Sequence, residues 1–463
     1  FIVRGVEMYQ DEDYNGAIKE FSQIHQNDTN YVKATLYSMY AAEEIENDSL
    51  VLDLVEKILV LPKNEYTHTA LLYKAESLHN LEKLDDAEKI YKHGLKDYPL
   101  MNRFYYKYSN FLFDTKRYKE AHDIAVKSIK INPYDSDCHF MMGKLAVKQG
   151  KLIPAMLAYQ FYLLLDHSSS KAWDVVNELE ALAKIENEFE DAITIEGLTE
   201  LDNFEELEAL VRSKAALSDG YKSKTKIKFN ITKQLQLISE KIEVNEGDKG
   251  FYMSFYAPIL KKQFELGHYR TYAYYILSGL GVKSVDSWIN KHSKDKDAYT
   301  AWIAQYIEDN FSNYEAELNG EMVKAKRYYT RSLKLGAIGN VDSEDNNIGY
   351  WNYFYSTGIV RAEGAYKKGN KDGVWKYYDI AGKIEDMKTT ADGELSGTRI
   401  TYYSNESPES KLNYEKSLLE GKQYTYYATG VMSAEYDYEN DKRVNQEKKY
   451  YENGKLNYSI GIK

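Results

Sequence analysis

Gly349-Tyr350-Trp351-Asn352-Tyr353-Phe354-Tyr355-Ser356-Thr357-Gly358 is an aromatic run closed by a Ser-Thr-Gly turn, and its pattern returns every 24 residues to the end of the chain. The first glycine recurs at Gly373, Gly397 and Gly421, with Asn445 in the fifth slot. The second recurs at Gly382, Gly430 and Gly454, with Glu406 in the gap. Five residues after each member of the first series stands an aromatic: Phe354, Tyr378, Tyr402, Tyr426 and Tyr450. Aromatic residues suit a pleated, half-buried surface and the turn glycine can take φ > 0, so each copy reads as a β-hairpin. Strand side chains alternate faces. The repeated aromatic is therefore expected to point into a shared core, and Tyr355, Tyr403, Tyr427 and Tyr451, one step on, to point outward, with Asp379 interrupting. A module this short cannot bury a core alone, so the copies are expected to stack into an array with one continuous hydrophobic seam.

This segment resembles the bacterial variant of the MORN repeat, as found in YwqK-like antitoxin-family proteins. The resemblance is carried by the Gly-x-Trp-x-Tyr-Tyr strand at Gly373 to Tyr378, the Asn-Gly-Lys-Leu turn at Asn453 to Leu456, and the Tyr-x-x-Gly linker at Tyr366 to Gly369. It implies architecture and protein or surface interaction, with an antitoxin-like regulatory binding role as one alternative. The middle copy departs from the pattern, with Arg399 where Trp would stand and Asn405-Glu406-Ser407-Pro408 in place of the glycine turn.

A second period organises the N-terminal third. Ala87, Ala121 and Ala155 lie 34 residues apart, followed four residues later by Tyr91, Ala125 and Tyr159, and Pro99 and Pro133 keep the same interval. Gly5, Ala17 and Phe21 match one earlier unit, and a divergent unit ends near Pro62. Ala87, Ile90, Tyr91 and Gly94 form one i, i+3, i+4, i+7 face, the mark of an amphipathic helix. The pattern resembles the tetratricopeptide (TPR) repeat, which implies two antiparallel helices per unit, a small residue at their crossing and a proline ending the second helix.

Function in such an array comes from the groove lined by the first helix of each unit. The side chains expected to face it are Arg103, Tyr106, Asn110, Phe113, Phe140, Lys144 and Lys148. The competing reading makes the aromatics inter-unit core and the lysines a solvated face. The preceding unit offers Leu72 and Glu76 where relatives that clamp a peptide carboxylate place Lys and Asn, which argues against such a clamp. A mixed aromatic and basic groove fits an extended or helical segment with acidic or apolar side chains.

These readings give an α+β multidomain chain: a TPR-type α-solenoid over residues 1–170, a mainly helical middle domain over 171–345, and five 24-residue MORN-like hairpins over 346–463. Helical runs are expected at Asn203 to Ala216, Ile231 to Ile242, Phe255 to Leu266 and Tyr299 to Asn310, and a degenerate strand pair at Gly320 to Gly339. Acidic blocks at Glu188-Phe189-Glu190-Asp191 and Asp202 to Glu206 lie near a basic run at Lys222 to Lys228, which reads as a solvated loop. The polar stretch Val341 to Asn347 is taken as the boundary of the hairpin array.

Composition narrows the function classes. The formal charge is −12 and only ten of the sixty basic residues are arginine, which disfavours nucleic-acid binding. No apolar run is long enough to cross a bilayer. The single cysteine, Cys138, excludes an internal disulfide framework and reads as a small buried hydrophobe. Nine histidines precede residue 293 without His-Glu-x-x-His or other ligand spacing, no Gly-x-Ser-x-Gly elbow occurs, and Gly279 to Ser284 reads as a helix-ending turn rather than a phosphate loop. No catalytic, cofactor or metal residue is nominated. The leading expectation is a non-enzymatic adaptor or scaffold, an accessory subunit of a bacterial envelope assembly or secretion complex. The alternative is a glycan- or surface-binding module in which outward Trp351, Trp375 and the paired tyrosines stack on sugar rings. A start at Phe1 rather than Met suggests a removed export signal and so the bacterial envelope and the periplasm; the near-absence of cysteine suits an oxidising periplasm and equally the cytoplasm, which is the alternative.

Overall fold

The computed structural model describes residues 1–185, 189, 192–195, 202–245, 247, 249–311, 313–318, 320–330 and 334–462. The acidic block at 188–191 lies outside the described residues except for Phe189. The chain forms two compact units, residues 1–101 together with 313–463, and residues 102–312. The α+β class expected from the sequence is what the structure shows.

In the first unit, helices α1 (Ile2–Gln10), α2 (Tyr14–Phe21), α3 (Tyr31–Glu44), α4 (Asp48–Leu59), α5 (Thr67–Asn80) and α6 (Leu84–Asp97) make three helical hairpins. Each hairpin turns through one left-handed residue: Glu12 (φ 63°), Glu46 (φ 52°) and Glu82 (φ 57°). The next N–H reaches back to a carbonyl five residues earlier, at Asp13 to Met8, Asn47 to Ala42 and Lys83 to Leu78, each 2.9 Å. This is the usual device for satisfying the orphan carbonyls of a helix end, here without the usual glycine. Where the paired helices cross, size is matched. A Cβ on Gly5 would sit 2.4 Å from the Phe21 ring, so only glycine fits beneath that side chain.

The rest of this unit is one antiparallel meander. Its strands are β1 (Asn313–Leu318), β2 (Glu321–Tyr329), β3 (Leu335–Val341), β4 (Asn347–Phe354), β5 (Val360–Lys367), β6 (Asn370–Tyr378), β7 (Ile384–Ala391), β8 (Glu394–Tyr402), β9 (Pro408–Glu415), β10 (Leu418–Leu419), β11 (Gly421–Tyr426), β12 (Met432–Glu439), β13 (Lys442–Tyr450) and β14 (Leu456–Ile462). Consecutive strands pair, except that β11 joins β9 and the short β10 pairs with β9 alone. The sheet begins at Asn313, so the expected boundary at 345 is corrected. Residues 342–346 are the turn of a hairpin, with Asp342 N–H bonded to Asn346 O at 2.9 Å, and β3 pairs with β4 on either side. The degenerate strand pair expected at Gly320 to Gly339 is β2 and β3, and β3 passes so close to β4 that a Cβ on Gly339 would lie 2.2 Å from the Trp351 indole.

The 24-residue period resolves into three backbone devices. The Gly358 series forms the hairpin turns, with Glu406 adopting φ 64° in the missing slot. Two-residue turns with both φ positive join the copies at Lys368-Gly369, Asp392-Gly393, Lys416-Ser417 and Asn440-Asp441. The Gly349 series marks left-handed bulges inside strands, where the pairing register shifts. Asn445 fits there because asparagine tolerates this conformation (φ 60°).

The second unit contains α7 (Asn102–Asp114), α8 (Tyr118–Ile131), α9 (Ser136–Lys148), α10 (Leu152–Leu165) and α11 (Ala172–Lys184). These are followed by α12 (Glu205–Arg212), α13 (Asn230–Lys241), α14 (Ala257–Glu265), α15 (Tyr269–Tyr275), α16 (Lys283–Lys291) and α17 (Ser293–Phe311). Lys116 (φ 62°) and Gly150 (φ 69°) continue the left-handed turns at the 34-residue step, and Gly143 lies beneath Tyr159 as Gly5 does beneath Phe21. The expected boundary at 170 is also corrected. α11 starts 34 residues after the start of α9, to within two residues, and α10 is buried from Leu152 to Leu164 by helices on both sides. A helical turn at Tyr252–Tyr256, ahead of α14, supplies part of that cover, with the Phe255 and Tyr256 rings 5.4 and 5.5 Å from that of Phe161, and it also pins α9. Tyr252 Oη donates to Met142 O at 2.9 Å, and the ring nitrogens of His139 meet Tyr256 Oη at 2.7 Å and Pro133 O at 2.9 Å. Burial pulls the His139 pKa down to about 3, so this residue is a neutral structural pin rather than a ligand.

Candidate functional site

Successive first helices of a 34-residue repeat present equivalent positions side by side, and in the second unit these positions touch. Arg103, Asp137 and Lys171 share one slot, Tyr106 and Phe140 a second, Asn110 and Lys144 a third. Lys171 Nζ lies 3.2 Å from Asp137 Oδ1 and 3.5 Å from Tyr106 Oη. The same ammonium sits 5.1 Å from the Tyr106 ring centre and 5.5 Å from that of Phe140. One turn further along, Lys144 Nζ donates to Asn110 Oδ1 at 3.3 Å and lies 4.5 Å over the Phe113 ring. The Asn110 amide in turn donates to Asp114 at 2.8 Å.

These side chains are half-buried. The rings are neither sealed inter-unit core nor free, because lysine ammonium groups rest on them and shield one face. Burial pushes the Tyr106 hydroxyl pKa up and the Lys144 ammonium pKa down. Burial also lowers that of Lys171, but the Asp137 carboxylate and Tyr106 raise it by more, and the balance is upward. Arg103 is exposed at the start of α7, and Lys148 is half-buried at the end of α9. Lys171 and Asp137 were missed in the sequence. The 34-residue step from Arg103 was the signal that could have found them.

The sheet candidates divide. Trp351 and Trp375 are 4% and 0% exposed, so the expectation that they face outward to stack on sugars is overturned. Trp375 lies across Gly364, where a Cβ would be 2.5 Å from its ring, and Nε1 donates to Ala365 O at 2.9 Å. Tyr353, Tyr366 and Tyr377 surround it, and Lys371 covers it at 4.2 Å from the ring centre. The most deeply buried rings, Trp351 and Trp375, thus lie on the face carrying Tyr353, opposite the one carrying Phe354. In the repeated aromatic column Phe354 is buried, while Tyr378, Tyr402, Tyr426 and Tyr450 are half-buried. The bulge at each first-series glycine, invisible to a count of two, precedes the strand residues that form this core.

The hydrophobic seam is not continuous. Two residues after each bulge the chain places Trp351, Trp375, Arg399, Gln423 and Glu447. Arg399 makes two 3.0 Å bonds to Asp386, and Gln423, only 1% exposed, donates to the carbonyls of Asn413, Glu420 and Gly421. The outward tyrosines tie successive copies together: Tyr355, Tyr403 and Tyr427 each donate a hydroxyl at 2.8 Å to the carbonyl of Tyr378, Tyr426 and Tyr450. Tyr451, the fourth outward candidate, is 53% exposed.

Among the described residues no cluster of three or more His, Cys, Asp or Glu side chains could hold a metal, and no helix is long and apolar enough to cross a membrane. No family model matches the chain, and no curated protein matches it. Among solved structures it is similar to a crystal structure of MamA, at 17% identity over 36% of this chain and 96% of that one, with a TM-score of 0.30. It is also similar to a structure described as the functional characterization of Pseudomonas Aeruginosa pilF, at 15% identity over 58% and 96%, with a TM-score of 0.30. Likenesses of this size do not bear on what the chain does.

Proposed function

We propose that this chain is a non-enzymatic scaffold that binds protein partners, with TPR-type helical units and a sheet of MORN-variant type. The observation that carries the reading is the strip on α7 and α9, where Tyr106, Phe113 and Phe140 stay partly open under Lys144 and Lys171. Open aromatic rings held rigid by helix packing, with cations already partly dehydrated, suit an apolar or acidic segment that displaces little ordered structure on binding. The sheet contributes a stiff, tyrosine-laced spacer, since its hydroxyl ladder locks one copy to the next. The setting we propose is the bacterial envelope, with which a single cysteine, buried at Cys138, is compatible, as it is with the cytoplasm; fractionation of the native protein tests it.

The test uses the full chain with a photo-crosslinking phenylalanine at position 113 or 140. A discrete protein adduct is expected at native abundance, lost when Lys144→Glu is combined with it. No adduct at either position, or one indifferent to Lys144, overturns the scaffold reading of this strip.

A further inference from the structure

The α7–α9 strip continues into a second surface that no periodicity revealed. Phe113 meets Tyr118 edge-on at 5.2 Å, and Tyr118 opens α8 beside an open cleft of about 660 Å³. The turn between α7 and α8 contributes Lys116 and Arg117 to its lining, the first turn of α8 contributes Lys119 and Glu120, and the end of α9 contributes Lys148. Four cations thus stand against one carboxylate, and that carboxylate is held by Arg117, whose Nε lies 2.7 Å from Glu120 Oε1. The far wall is a piece of the same chain without regular secondary structure, Ile193, Thr194 and Ile195. It is seated by Ile193 N–H donating to Lys148 O at 2.9 Å, and by Gly150, which has no side chain to strike Ala192. Ile193 remains 38% exposed.

We propose that this cleft binds an acidic, extended segment of a partner protein, entered from the α7–α9 strip. The inference rests on the scaffold reading and names the partner chemistry of its open end. Three features select a peptide. The positive excess attracts carboxylates. The apolar wall formed by Ile193 and Tyr118 has use for a partner with side chains between its charges. The one arginine, the residue best suited to grip phosphate bidentately, is already engaged by Glu120.

The probe is a fluorescein-labelled ten-residue peptide of alternating Glu and Leu, followed by anisotropy with the full chain. Affinity is expected to fall at least tenfold in Lys116→Glu/Lys119→Glu, at least tenfold when every Glu of the probe becomes Gln, and steeply between 50 and 300 mM salt, on the order expected for several screened charges. Lys148→Glu is the second variant and is expected to weaken binding in the same direction. Equal affinity in the double variant and in Lys148→Glu overturns the inference, as does equal affinity for a Lys-Leu probe. Inorganic polyphosphate binding more tightly than the peptide also overturns it, in favour of a phosphate-selective site. If adducts at positions 113 and 140 persist while charge reversal leaves the probe unaffected, the cleft assignment fails and the scaffold reading stands.

Discussion

Replacing Trp375 by alanine tests the placement of the sheet's core more sharply than any other change. The indole is fully buried against Gly364, Tyr353, Tyr366 and Tyr377, and its N–H is spent on Ala365 O. A buried Trp removes about 200 Å² from water, which at about 25 cal/mol per Å² gives ~5 kcal/mol as an upper bound. Compactness of the unfolded chain lowers this to ~3–4.5 kcal/mol. Losing the hydrogen bond and leaving the carbonyl unpaired adds about 1 kcal/mol, for a total of ~4–5.5 kcal/mol, at the upper end of the range measured for Trp→Ala in cores. Urea unfolding followed by near-ultraviolet circular dichroism reads the loss, and acrylamide quenching of Trp375 emission, in a chain whose other four tryptophans are Phe, reads its exposure. A loss below about 1 kcal/mol with free quenching would refute the reasoning and return Trp375 to the surface.

Other consequences follow from single contacts. Glu82→Gly relieves a left-handed residue, worth ~1–2 kcal/mol, against ~0.5–1 kcal/mol of added chain entropy, so a net gain of ~0.5–1 kcal/mol is expected in urea unfolding; a loss would show that the turn is not left-handed. Tyr403→Phe removes the hydroxyl bond to Tyr426 O and is expected to cost ~0.5–1.5 kcal/mol, whereas Tyr451→Phe at the exposed fourth position should change nothing measurable by the same assay. His139 is held neutral, with its folded pKa near 3 against about 6.5 unfolded, so the unfolded chain binds the extra proton. Its contribution is complete above pH 6.5 and is lost as pH falls toward 3. About 2 kcal/mol should be gone at pH 5, on the order of 1.4 kcal/mol per unit, and a His139→Gln chain with an unchanged pH profile would contradict this.

Both periods were legible in the sequence because each is forced by local chemistry. Helices that cross closely need a small residue every 34 positions, and hairpins that turn tightly need a residue tolerant of φ > 0 every 24. The helices at α12, α13, α14 and α17 followed from apolar spacing in the same way, and so did the strip from Tyr106 to Lys144, since 34-residue equivalents of adjacent first helices are neighbours. What the sequence could not yield was which face is inside. The column kept aromatic in every copy reads as the core, yet the most deeply buried rings, Trp351 and Trp375, sit on the opposite face in a column that the later copies fill with Arg399, Gln423 and Glu447. The left-handed turns at Glu12, Glu46, Glu82 and Lys116 were equally silent, because a side chain that accepts φ > 0 leaves no glycine to read. The basic cleft is a tertiary product outright: Lys116, Lys119, Lys148 and Ile193 share no spacing, and only the folding of residues 192–195 back onto the end of α9 brings them to one surface.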